Sequence, residues 1–202
     1  GSSGLLVLGN VYNPALAVDN LSNTGASMVI DLGLLNAAVW EKAGFNGVSS
    51  PGDTVRVLLE NPSQVLSAAV LASVQLTTYQ GNTAGDSILV SNPVLSLKLL
   101  NNGRQALVEF VPTKPFDAVE VKLKSGVAGA LTAINFNYAQ RAMIAPKVEA
   151  AKVEICAGGT ATLKVLNPVA GITYRWYNAA GVYQTGKDGT SFTTSTLNAS
   201  TS

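Results

Sequence analysis

The chain has 202 residues, with 13 Lys and Arg, 12 Asp and Glu, no His and one Cys. Charged residues make up 12% of it, against roughly 25% in an ordinary globular domain. Without His there is no Ser–His–Asp triad, no Cys–His dyad and no His-ligated metal, and a net charge of +1 without a basic run gives no footprint for nucleic acid.

At 47% hydrophobic residues the composition is not that of a disordered chain. The longest apolar stretches, such as residues 65–74, are interrupted by Ser and too short to span a bilayer. No basic amphipathic helix is present, so no membrane insertion is expected. The chain opens without a charged n-region and apolar h-region, so any signal peptide is removed or lies upstream. Gly1-Ser2-Ser3-Gly4 is set aside as a linker or expression scar.

In chain order, the first expected element is a short helix over Pro14-Ala15-Leu16-Ala17, with Asn13 as N-cap and Pro14 at the first helical position. Residues 54–60 alternate, with Val55, Val57 and Leu59 on one face. Residues 62–72 read either as a helix capped by Asn61 or as a loop, because Val and Ser do not favour helix. Strands are expected over 74–79 and 94–100. Residues 106–111 are more apolar and are expected to be more central. Val119, Val121 and Leu123 alternate with Glu120, Lys122 and Lys124, and Ile134, Phe136 and Tyr138 alternate with Asn135, Asn137 and Ala139. Turn signals separate these runs: Ser50-Pro51-Gly52-Asp53, Gly81-Asn82, Asn101-Asn102-Gly103 and Pro112-Thr113-Lys114-Pro115.

These runs make one β-sandwich over 5–142, followed by a linker at 143–147. Over 148–202 the pattern restarts. A strand at 148–155 precedes a turn at Cys156-Ala157-Gly158-Gly159. Ala161, Leu163 and Val165 then share one face, and Ile172, Tyr174 and Trp176 share the next. Strands near 182–185 and 191–194 follow. Five strands in about 55 residues fall short of the seven in about 100 of an immunoglobulin-like sandwich. The sequence therefore reads as a fragment of a longer protein, with an open edge for strand addition.

The second unit carries a family signal. Residues 165–177, VLNPVAGITYRWY, with Gly189-Thr190-Ser191-Phe192-Thr193-Thr194 and Ile155-Cys156-Ala157-Gly158-Gly159-Thr160-Ala161-Thr162-Leu163, resemble the Ig-like repeats of large bacterial surface proteins. Those proteins are exported by the type IX system, and some are gliding-motility adhesins. The first unit resembles the sandwich that precedes such repeats, through Asn13-Pro14, Ala17-Val18-Asp19-Asn20, residues 52–57, residues 78–83, residues 115–121 and residues 137–141. Ala17 to Thr24 with the late Phe116-Asp117-Ala118-Val119-Glu120-Val121 strand is also similar to discoidin-type jelly rolls, which bind sugars or lipids. The resemblance implies an all-β chain: a jelly-roll or discoidin-like sandwich, then an incomplete Ig-like sandwich. Family members often carry a Cys pair near residues 5–10. None stands here, so packing alone must hold that strand.

The candidate sites each carry two readings. Asp19, Asn20, Asn23 and Thr24 gather oxygens that either ligate calcium, with Asp19, Asn23 and Thr24 as ligands, or form an Asx-turn. Asp53 and Asp86, each beside Gly, read as turn residues. Trp40, in a stretch read as irregular, either plugs the sandwich end or is exposed for sugar stacking, with Asn20 and Asn23 as companions. Trp176 reads as the Ig core aromatic. Glu60, Glu109 and Glu120 read as solvated acids rather than a glycosidase pair. Cys156 is free, intermolecular, or bonded to a Cys outside the chain, which the resemblance favours.

The expectation is a non-catalytic, extracellular segment of a cell-surface adhesin or filament. It acts as a rigid spacer contacting surface glycans or neighbouring repeats, with strand-edge assembly and no cofactor beyond calcium. The alternative is a carbohydrate-binding module, alone or appended to a secreted enzyme.

Overall fold

A computed structural model describes residues 1–3, 7–19, 21–33, 37–125, 132–149, 155–169 and 172–197. The chain divides into two units, Gly1–Ile144 and Ala145–Ser202. Both are built from antiparallel sheet.

The strands of the first unit are β1 (Ser2–Ser3), β2 (Val7–Tyr12), β3 (Ala26–Gly33), β4 (Ala38–Gly44), β5 (Thr54–Glu60), β6 (Val74–Gln80), β7 (Thr83–Leu89), β8 (Ser96–Leu100), β9 (Gln105–Phe110), β10 (Ala118–Lys124) and β11 (Thr132–Ala142). They form a five-stranded sheet, β1-β4-β10-β6-β7, and a six-stranded sheet, β2-β3-β11-β5-β9-β8. Setting aside β1, β2 and β8, the order is β4-β10-β6-β7 in one sheet and β3-β11-β5-β9 in the other. Apart from the β6–β7 hairpin, successive strands of these eight cross between the sheets, as in a jelly roll. β10 joins β4 to β6, and β11 joins β3 to β5. Ser2 and Ser3, set aside in the sequence, pair with Val39 and Ala38.

Alternation places the core. Val55, Val57 and Leu59 of β5, Ala106, Val108 and Phe110 of β9, and Val119, Val121 and Leu123 of β10 are buried between the sheets with Met28, Ile30, Leu76 and Ile134. β11 departs from its expected phase. Phe136 stands opposite Leu59 and Tyr138 opposite Leu58, so Asn137 is the extra residue of a bulge. The bulge turns Asn137 into a buried position and leaves Tyr138, expected in the core, half-buried. Asn137 Nδ2 donates to Ser22 O at 3.1 Å and Glu60 Oε2 at 2.9 Å, which fastens the loop before β3.

Local signals fare unevenly. A 3-10 helix forms at Pro14–Ala17, but Asn13 makes no side-chain cap and instead takes a left-handed conformation, φ 51°. Asn61 caps no helix; its Oδ1 accepts from Ser63 N and Gln64 N, while a short helix α1 (Ala68–Ala72) is capped by Ser67. Asn101, Asn102 and Gly103 all have positive φ in the turn between β8 and β9. β8 starts later than expected, because Asn92 Oδ1 accepts from Val94 N and Leu95 N–H donates to Asn92 O, making a turn. As the last strand of its sheet, β8 leaves Leu97 and Leu99 substantially exposed.

The second unit holds β12 (Lys147–Val148), β13 (Thr162–Leu166) and β14 (Ser191–Thr193) in one antiparallel sheet. Lys147, placed in the linker by the sequence, pairs with Leu166. Most of the strand expected at 148–155 lies outside the described residues. Ala161 and Val165 are buried and Leu163 is half-buried, as the alternation requires. Ile172, Tyr174 and Trp176 are half-buried while Thr173, Arg175 and Tyr177 are exposed. That run keeps its alternation without a regular ladder; a single bridge joins Tyr177 to Tyr183.

Candidate functional site

The richest surface of the first unit is the outward face of its five-stranded sheet. β4 is regular, not irregular, because β10 pairs with it from Ala118 opposite Gly44 to Lys124 opposite Ala38. Successive side chains point to opposite faces. Val39 and Ala43 therefore enter the core, and Trp40 and Lys42 point outward. Register carries the face across the sheet: Trp40, Lys122 and Gln75 form one row, and Lys42, Glu120 and Thr77 the next. Trp40 thus plugs no sandwich end. It is half-buried on the outward face, and its backbone N–H donates to Gly1 O at 2.8 Å.

Charge and aromatic groups interlock here. The Lys122 ammonium lies 5.1 Å from the Trp40 ring centre and 3.9 Å from Glu120 Oε1. Lys42 stands 4.0 Å from the Tyr79 ring centre and donates to Gly81 O at 3.0 Å. Tyr79 Oη donates to Glu120 Oε2 at 3.5 Å. Burial, then the Glu120 charge and hydrogen bond, hold the Tyr79 phenol above its ordinary pKa. Gln75 and Thr77 each hydrogen-bond Ser87 on β7. Glu120, expected to be solvated, is only 8% exposed, because these neighbours cover it. Glu109 pairs with Arg56, and Glu60 accepts from Asn137.

The role of end plug falls to Phe116 and Phe45. Phe116 is 1% exposed and meets Phe45 edge-on, with ring centres 5.9 Å apart. Phe116 N–H donates to Ser49 Oγ at 2.9 Å, and its carbonyl accepts from Ser49 N at 2.7 Å. Beside Phe45 opens a cleft of about 400 Å³, lined among others by Val18, Tyr138, Gln140 and Arg141. Its guanidinium is committed: it donates to Gly47 O and Asn46 O and pairs with buried Asp53 at 3.7 Å. Asp53 also accepts from Ser50 N and Ile144 N, which confirms its turn role.

Asp86 is not a turn residue; it lies within β7. Its carboxylate accepts from Thr113 N, Thr113 Oγ1 and Lys114 N at 2.7–3.0 Å. Partial burial pushes this carboxyl up, but the hydrogen bonds and the Lys114 charge together outweigh it and lower the pKa.

In the loop before β3, Asp19 Oδ1 accepts from Leu21 N at 2.9 Å and Oδ2 from Thr24 Oγ1 at 2.7 Å. This is Asx-turn geometry, with both carboxylate oxygens holding local donors. Asn23 is exposed, and Asn20 lies outside the described residues. Among the described residues no three His, Cys, Asp or Glu side chains are grouped to hold a metal. The loop is fastened to the six-stranded sheet through Ser22, whereas Trp40 stands on the other sheet. The loop that carries Asn23 and the strand that carries Trp40 thus belong to different sheets.

In the second unit Trp176 stacks on Phe192 at 5.6 Å and donates from Nε1 to Gly189 O at 3.0 Å, as a core aromatic does. The Tyr183 phenol is raised by its hydrogen bond to Asp188. Cys156 is an exposed free thiol.

Sequence reasoning missed Lys42, Gln75, Tyr79 and Lys122 as companions of Trp40. Their signal is outward parity on three strands, which becomes a surface only when the strand order is known. Residues 144–202 match the family described as Ig-like domain CHU_C associated. No curated protein and no solved structure matches the chain. No helix among the described residues is long and apolar enough to cross a membrane.

Proposed function

We propose that the chain is a non-catalytic structural and adhesive segment of a secreted, cell-surface protein of the type IX-exported, gliding-motility adhesin kind. The observation that carries this reading is the Ig-like match over 144–202, directly after a jelly roll. Sandwiches of this kind are stiff spacers, because each sheet buries one face against the other. Loops and strand edges such as β8 then supply contacts to glycans or to neighbouring repeats.

The test is surface exposure of the parent protein on intact cells of the organism that makes it. Antibody labelling and added protease should reach it, and disabling the type IX translocon should abolish both. A protein that stays inside intact cells, or reaches the surface without that translocon, refutes the export reading.

A further inference from the structure

We propose that the outward face of β4, β10 and β6 binds an acidic, uronate-bearing polysaccharide laid across the strands. This inference rests on the face itself and not on the export reading. Three lysines, Lys42, Lys122 and Lys124, point outward on these strands against one carboxylate, Glu120. That carboxylate is buried under its neighbours and held by Tyr79 and Lys122, so the accessible charge of the face is positive. An anionic chain complements it.

The remaining side chains narrow the chemistry. Trp40 and Tyr79 bring half-buried rings beside Lys122 and Lys42, and aromatic rings pack against the C–H faces of sugars. Gln75, Thr77 and Ser87 offer neutral donors and acceptors that suit hydroxyl groups. Adjacent strands lie about 4.8 Å apart, close to the length of one sugar unit, so a chain crossing them meets one outward side chain per residue. The cations are ammonium groups; no arginine stands on these strand faces, and the guanidinium fork favoured for phosphate is missing from them. Lysines separated by neutral groups, one to a row, suit the spaced carboxylates of a uronate-bearing chain better than the dense charge of a nucleic acid.

The experiment measures binding of the whole chain to polygalacturonate by calorimetry and affinity electrophoresis, with neutral dextran and duplex DNA as comparison ligands. Polygalacturonate should bind, dextran should not, and the affinity should fall as salt rises. The Lys42→Gln/Lys122→Gln variant should bind about tenfold more weakly. Trp40→Ala should also weaken binding, whereas Lys98→Gln on β8 should leave it unchanged. Near-UV circular dichroism checks folding; if Trp40→Ala unfolds, the lysine pair alone decides. The proposal is overturned by no binding to polygalacturonate, by equal binding to dextran, by tighter binding to DNA, or by an undiminished affinity in the folded lysine variant. Each of these leaves surface export untouched.

Discussion

Phe116→Ala tests how the end of the first unit is closed. The ring is almost wholly buried and meets Phe45 edge-on at 5.9 Å. Two hydrogen bonds hold the Phe116 backbone to Ser49, so the loop cannot sink into the vacated space. Removing a buried Phe under those conditions should cost about 3–5 kcal/mol. Of this, the aromatic contact with Phe45 should account for about 0.5–1.5 kcal/mol, measured as the coupling in a double-mutant cycle with Phe45→Ala. The assay is urea unfolding followed by tryptophan fluorescence. The chain has two Trp, Trp40 in the first unit and Trp176 in the second. A Trp176→Phe background therefore leaves Trp40 to report the first unit alone. The midpoint should fall with little change in slope. A loss under about 1.5 kcal/mol, or a coupling of zero, refutes the closure argument.

Three further outcomes follow from named contacts. The folded-state pKa of Asp86 is lowered, so its stabilisation is present above the unfolded pKa and fades as pH falls through the folded one. Wild type should therefore exceed Asp86→Asn in urea midpoint at neutral pH, and a lead undiminished at about pH 2 contradicts the assignment. A Cβ on Gly9 would stand 2.7 Å from Val29 O, so Gly9→Ala should lower the unfolding free energy by about 1–3 kcal/mol, read from urea unfolding, as β2 is pushed off β3. Cys156 should react stoichiometrically with a thiol reagent in the native chain, without denaturant; protection until unfolding would show that it is not exposed.

Much of the sandwich was legible because period-two burial is a local pattern. β5, β9 and β10 fall where Val55, Val57, Leu59, Val108 and Val119 place them. The phase change in β11 was not, because a bulge at Asn137 is set by what stands opposite it. The direction of Trp40 stayed open in the sequence for a related reason. Its stretch lacks clean alternation, and only pairing with β10 fixes which way the ring points. Glu120 shows the limit of parity as a guide to solvation: it does point outward, yet Tyr79, Lys122 and Lys42 come from three strands to cover it. Asp19 was legible in its local role, since an Asx-turn needs only residues within hydrogen-bond reach along the chain.

The positions of β10 and β11 bear on how the first unit comes into being. Before residue 118 is available, β4 has no link to β6, and β3 has no link to β5. The earlier strands can pair only as separate pieces, β1 with β4, β2 with β3, β6 with β7, and β5 with β9 and β8. Each piece then carries an apolar face and an unpaired edge, and the last two strands must insert at the middle of both sheets. Such distant pairings form slowly, since the chain between them must be ordered before any contact rewards it. A ribosome or a membrane channel releasing the chain from its N-terminus would therefore hold it open until nearly all of the first unit had emerged.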